Sequence, residues 1–123
     1  MKLTNRQLLN AVPAFNHING LKMPVKASFT VARTARTIDE NLKDYNKTLE
    51  VLQKKHAEKD EDGECKVVDD KYVFEDADAF VAEYNELLDC KVDMSVKKIS
   101  LNEFGSAEVE PAFLYHLDWF IED

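Results

Sequence analysis

The sequence predicts an α+β fold: an N-terminal helical hairpin with one long helix, a small antiparallel sheet and two C-terminal helices. Three observations predict it. An apolar seam with alternating four-three spacing runs through the first half. Short stretches of period-two alternation occupy the second half. Helix-opening residues, Asp76 and Pro111, stand before two later apolar-periodic segments. The 123 residues, 45% of them hydrophobic, suit a single domain with a modest core.

Thr4 opens the first helix, because Thr4-Asn5-Arg6-Gln7 has the form of a capping box in which Gln7 reaches back to the Thr4 amide. Leu8, Leu9, Val12, Phe15 and Ile18 follow at helical spacing. Pro13 is expected to kink this helix or break it in two, and Gly20 to stop it. The second helix starts near Pro24 or at Ser28 and runs to about residue 57. Its seam is Val31, Ala35, Ile38, Leu42, Tyr45, Leu49, Leu52 and His56. At 1.5 Å per residue such a helix is roughly 45–50 Å long, so two covers suit its seam: the rest of this chain, or a second helix in a coiled coil.

A polar turn, Glu58-Lys59-Asp60-Glu61-Asp62-Gly63, ends the long helix. Cys65–Val68 and Lys71–Phe74 form a hairpin around Asp69-Asp70. Asp76 caps a third helix whose apolar face is Ala77, Phe80, Val81, Tyr84, Leu87 and Leu88, with Glu83 and Glu86 in water. Val92, Met94 and Val96 then alternate, and Ile99 and Leu101 resume on the shifted phase, which a bulge at Lys97-Lys98 reconciles. Gly105 marks a loop, and Pro111 opens a last helix through Phe113, Leu114, Leu117, Phe120 and Ile121.

Charge is divided along the chain. Met1 to His56 holds ten Lys/Arg and four Asp/Glu, whereas Ala57 to Asp123 holds six and twenty. The domain therefore divides into a basic helical part, 1–57, and an acidic α+β part, 58–123. Two halves of opposite sign imply surfaces for different partners, or mutual attraction. The long helix carries Lys22, Lys26, Arg33, Arg36, Lys43, Lys47 and Lys54 opposite its seam. Such a stripe is either the solvated face or a contact for an acidic partner, including another copy of this chain. A pI near 4.9 argues against a dedicated nucleic-acid binder, since phosphate binding rests on Lys and Arg. No apolar run is long enough for a membrane span, and the segment after Met1 is too polar for a signal-peptide core.

Little in the sequence carries chemistry. With Gly63 as the loop glycine, an EF-hand alignment puts Glu58, Asp60, Asp62 and Glu64 at positions one, three, five and seven, and Asp69 at twelve. Position twelve is then too short for easy bidentate closure, and a strand follows where a helix is needed, so no calcium site is expected. His17, His56, Cys65, Cys90 and His116 lack the short spacings of a structural zinc site, and the two cysteines are expected as thiols. Nucleophile elbow, phosphate-cradling glycine loop and zincin motif are all missing, so neither enzyme nor cofactor is expected. Phe113, Tyr115, Trp119 and Phe120 cannot share one narrow stripe, which makes Tyr115 and Trp119 candidates for a contact surface.

Several short segments resemble a group of small proteins from tailed phages and prophages of Gram-positive bacteria. They are Leu8-Leu9-Asn10-Ala11, Met23-Pro24-Val25-Lys26, the 58–63 turn, Val92-Asp93-Met94 and the ending Phe120-Ile121-Glu122-Asp123. The resemblance implies a role in virion assembly, or an accessory role in the host cytoplasm, and it supplies no catalytic residues. The resulting expectation is a non-enzymatic protein that works through contact with a phage or host protein or with its own copies. The contact candidates are Arg33, Arg36, Lys43, Lys47, Tyr115 and Trp119. The alternative is a small acidic inhibitor of a host nucleic-acid enzyme or defence system, its carboxylates imitating phosphates.

Overall fold

The computed structural model describes residues 1–122; Asp123, the last residue of the expected ending, lies outside the described residues. The chain is α+β, as its periodicities imply, and divides into two compact units. Residues 1–42 and 91–123 form the first, and residues 43–90 the second.

In the first unit, β1 (Lys2–Thr4) pairs antiparallel with β4 (Lys91–Asp93), Leu3 standing opposite Val92. The capping box then starts α1 (Asn5–Asn19): Gln7 N donates to Thr4 Oγ1 at 3.1 Å, and Thr4 N donates to Gln7 Oε1 at 2.8 Å. Of the two expected effects of Pro13, a kink or a break, the break does not occur: α1 runs as one helix through Pro13. Its ring lies on the exposed side, while Leu8, Ala11, Ala14, Phe15 and Ile18 are buried on both sides of it. That packing offsets the roughly 3 kcal/mol an interior proline costs.

The long helix, α2 (Val25–His56), is continuous and contributes to both units. Within the first unit Val31 and Ile38 are fully buried and Leu42 nearly so. The chain itself therefore covers this part of the seam. The expected hairpin of α1 on α2 is not the main helix contact, because α1 packs most extensively on α4 (Pro111–His116).

The stretch after Met94 departs from the expected bulged strand. β4 ends at Asp93, and Ile99–Ser100 forms a separate strand, β5. Its partner is β6 (Ile121–Glu122), and the pairing is parallel. Three two-stranded ladders thus replace the single antiparallel sheet. Met94 and Ile99 are buried on either side of the irregular segment, so burial of the two apolar residues, rather than one strand, sets its path. Leu101 leaves the core, 53% exposed, at the start of a 3-10 turn, Leu101–Phe104. Glu103 Oε2 accepts from Ser100 N at 2.7 Å there. Gly105 follows at φ 65°, and a Cβ on it would stand 3.1 Å from Pro24 Cδ, so both conformation and space require glycine.

The last helix is shorter than expected. It stops at His116, and Leu117 to Phe120 turn so that Leu117 and Phe120 are fully buried before Ile121 joins the parallel ladder. The Phe120 ring lies 5.1 Å from that of Phe15. Burial of Phe120 against α1 wins over continuation of the helix.

The second unit holds the end of α2, the hairpin of β2 (Val67–Val68) and β3 (Lys71–Tyr72), and α3 (Ala77–Asp89). Asp69 and Asp70 turn the hairpin at φ 53° and 63°, the paired positive values of a type I′ turn. Three backbone bonds close a ring around the strand bases: Glu58 N donates to Val73 O, Val73 N to Lys66 O, and Lys66 N to Glu58 O. Asp76 caps α3, accepting from Ala79 N at 3.1 Å. Phe74, Phe80 and Tyr84 stack in series, and the Tyr84 hydroxyl meets that of Tyr45 at 3.0 Å. The face of α3 differs from expectation at its start: Ala77 and Val81 are exposed, and burial is confined to Leu87 and Leu88. Glu83 is held rather than free in water, because Lys55 Nζ donates to it at 2.9 Å.

Candidate binding surfaces

A cleft of about 500 Å³ opens in the first unit between the start of α1 and the end of α4. Gln7 and Asn10, one turn apart on α1, form one wall; Tyr115, His116, Asp118 and Trp119 form the other. The capping box fixes Gln7 by its Oε1. Trp119 is held by Phe15 and Phe120, with ring centroids at 5.9 and 6.0 Å. Tyr115 is 79% exposed and meets His116 edge-on at 5.1 Å. The Trp119 indole N–H is buried without a hydrogen-bond partner, an uncommon state for a buried donor. Asp118 is exposed and forms no ion pair with a described residue. The Tyr115 and Trp119 rings and one unpaired carboxylate suit a cation carried on an apolar stem.

Both aromatic candidates, Tyr115 and Trp119, therefore lie in one cleft. Gln7, Asn10, His116 and Asp118 were not expected there. Gln7 was visible only as a helix cap, His116 only as an isolated zinc-ligand type and Asn10 only within the Leu8–Ala11 segment, and none of these signals, nor any at Asp118, points to a shared cleft.

The basic candidates are distributed differently. Arg33 stands over the ring of the exposed Phe29, 5.6 Å from its centroid. Both line a smaller cleft of about 230 Å³ in the first unit, with Thr30, Thr34 and Thr37 from the same helix and Ser95 and Lys97 from the irregular segment. Arg36 is exposed and does not line it. Lys43 and Lys47 are exposed in the second unit.

Grouped by unit rather than by sequence half, the charge is distributed differently. The first unit holds nine Lys/Arg and nine Asp/Glu; the second holds seven and fifteen, so the whole net charge of −8 belongs to residues 43–90. Pairing within that unit is sparse and exposed. Lys54 meets Glu50 at 2.9 Å and Lys66 meets Glu58 at 3.8 Å. Lys54 holds the Glu50 carboxyl below its ordinary range and is itself raised by Glu50. Lys55 first, and then His56, hold Glu83 low. His56 Nε2 lies 3.3 Å from Glu83 Oε2 but without hydrogen-bond geometry. Burial, and then the Tyr84 hydroxyl, push Tyr45 above its ordinary range.

Among the described residues no three His, Cys, Asp or Glu side chains are grouped to hold a metal ion, and no helix is long and apolar enough to cross a membrane. Cys65 and Cys90 are free thiols. No protein family, curated protein or solved structure matches the chain.

Proposed function

We propose that this chain is a non-enzymatic phage accessory or virion-assembly protein that works by docking another protein, phage or host, in the cleft between α1 and α4. The observation that carries the docking is the exposed Tyr115 beside Trp119, with the unpaired Asp118 in the same wall. Lys or Arg from a partner fits there, its stem on the rings and its charge on the carboxylate. The phage setting rests on the resemblance of the short segments named above. A photo-crosslinking residue at position 115, introduced in infected host cells, is expected to give one discrete protein adduct that Asp118→Lys abolishes. The same probe at Val81, exposed in the second unit, serves as the control. An adduct indifferent to Asp118→Lys, or equal labelling from both positions, overturns the reading.

The confinement of the net charge to residues 43–90 favours a second reading, an acidic inhibitor of a host nucleic-acid enzyme. In that case Glu61→Lys with Asp62→Lys and Glu64→Lys abolishes competition with duplex DNA for the target enzyme. Retained competition in that triple variant removes this alternative.

A further inference from the structure

The cleft beside Phe29 carries an assignment of its own, independent of the docking surface. Arg33 and Lys97 come from elements far apart in sequence and line the same small cleft. The chain has 24 carboxylates against 16 Lys and Arg, yet neither of these two cations pairs with a described carboxylate. Two unneutralised charges at one concavity in an acidic chain make a local site for an anion.

The rest of the lining narrows the anion. Thr30, Thr34 and Thr37 each donate their hydroxyl proton to the carbonyl four residues earlier, at 3.0, 2.9 and 3.1 Å. What they offer a ligand is lone pairs, suited to its own hydroxyl or N–H groups. Ser95, on the opposite wall, has no side-chain partner among the described residues and can donate. The volume is below the roughly 300–1,000 Å³ of sites for drug-sized ligands, so the occupant is small.

We propose that this cleft binds a small phosphate monoester that carries hydroxyl groups. The phosphate sits between Arg33 and Lys97 with Ser95 donating to it, and the ligand hydroxyls face the threonine oxygens. A monoester carries about −1.5 to −2 at neutral pH and three terminal oxygens, which match two cations and a hydroxyl better than a carboxylate does. The planar guanidinium of Arg33, steadied over Phe29, supplies paired donors to two of those oxygens.

The test is a titration of the full ¹⁵N-labelled chain with glycerol 3-phosphate, followed by amide shifts. Saturable shifts are expected at Ser95, Lys97 and the Phe29–Thr37 turns. Arg33→Gln and Lys97→Gln should each weaken binding about tenfold or more, the loss of one charge-assisted hydrogen bond. Arg36→Gln, at an exposed cation outside the lining, should leave it unchanged. The same spectra show that each variant is folded. Inorganic phosphate is expected to bind more weakly than the monoester, because it reaches none of the threonine oxygens. No saturable shift at up to about 20 mM ligand, well above the millimolar range of weak sites, overturns the proposal. So does equal binding of acetate, or an equal loss in Arg36→Gln.

Discussion

Leu42→Asp tests whether the long seam is covered by its own chain. Leu42 is only 7% exposed on α2. Burial of a leucine side chain contributes about 1.5–3 kcal/mol. The new carboxylate would lose that contribution and have no cation three or four positions away on the helix to pair with. Its neighbours three and four positions away on the helix are Ile38, Asp39, Tyr45 and Asn46. An unsatisfied buried polar group adds about 1–3 kcal/mol, for a total of about 3–6 kcal/mol. Native stabilities are about 5–15 kcal/mol, so the melting temperature should fall by about 10 °C or more. The control, Asn46→Asp, places the same residue on the exposed face one turn later and should stay within about 0.5 kcal/mol of the parent. Helical circular dichroism followed on heating measures both. pH supplies a second axis. Burial raises the folded-state pKa of the new Asp above its unfolded value of about 3.9, so the charge penalty is complete above the raised value. The gap to the parent should therefore narrow as pH falls toward 3.9. A Leu42→Asp melting temperature equal to that of Asn46→Asp would refute the buried seam and return the coiled coil as its cover.

Other perturbations test smaller features. Trp119→Phe should leave stability within about 0.5 kcal/mol of the parent or raise it, because it removes an unpartnered donor that costs about 1–3 kcal/mol while keeping a ring against Phe15 and Phe120; a loss above about 2 kcal/mol would mean that the N–H is satisfied in solution. Glu83→Gln should lower stability at pH 7. The folded-state pKa of Glu83 is held below its ordinary 4.5, so the parent's advantage is present above 4.5 and disappears as pH falls through the lowered value; an advantage that persists in strong acid would contradict this. Asp70→Gly should stabilise the β2–β3 hairpin by about 0.5–1 kcal/mol, since the residue has φ 63°, and no gain on urea unfolding would argue against the type I′ turn. Calorimetric titration of about millimolar calcium should give no saturable heat, because Asp60 Oδ1 already accepts from Asp62 N and Glu64 N and strand pairing resumes at Cys65; a micromolar dissociation constant would reverse that expectation.

What the sequence made legible was local. The Thr4–Gln7 box, the Asp76 cap and the Asp69-Asp70 turn each act within four residues, and all three form. The seam of α2 was legible because its period persists over many turns, and Val31, Ile38, Leu42 and Tyr45 are buried along it. The parallel pairing of Ile99 with Ile121 was not legible, since strands of two residues have no period and the partners lie 22 positions apart. Leu117 and Phe120 mislead for a related reason: a spacing of three serves a helix and a turn equally well, and only packing on Phe15 decides between them. At the surfaces, Tyr115 was visible as an aromatic residue beyond what one stripe can bury, and it is exposed. Ser95 and Lys97 looked like parts of a bulged strand, so their place beside Arg33 could come only from the path between Met94 and Ile99.

The order in which the chain is made gives the β1–β4 ladder a further meaning. Leu3 leaves the ribosome 89 positions ahead of its partner Val92. At about 5–20 residues per second the wait is roughly 4–18 s. Residues 43–90 form one uninterrupted stretch, complete before any of 91–123 has been synthesised. The acidic unit thus has all its material first, while β1, α1 and the start of α2 are held without their closing segment. Apolar residues such as Leu8, Phe15 and Ile18 stay uncovered through that interval, which makes the nascent first unit the stage at which a chaperone has most to bind.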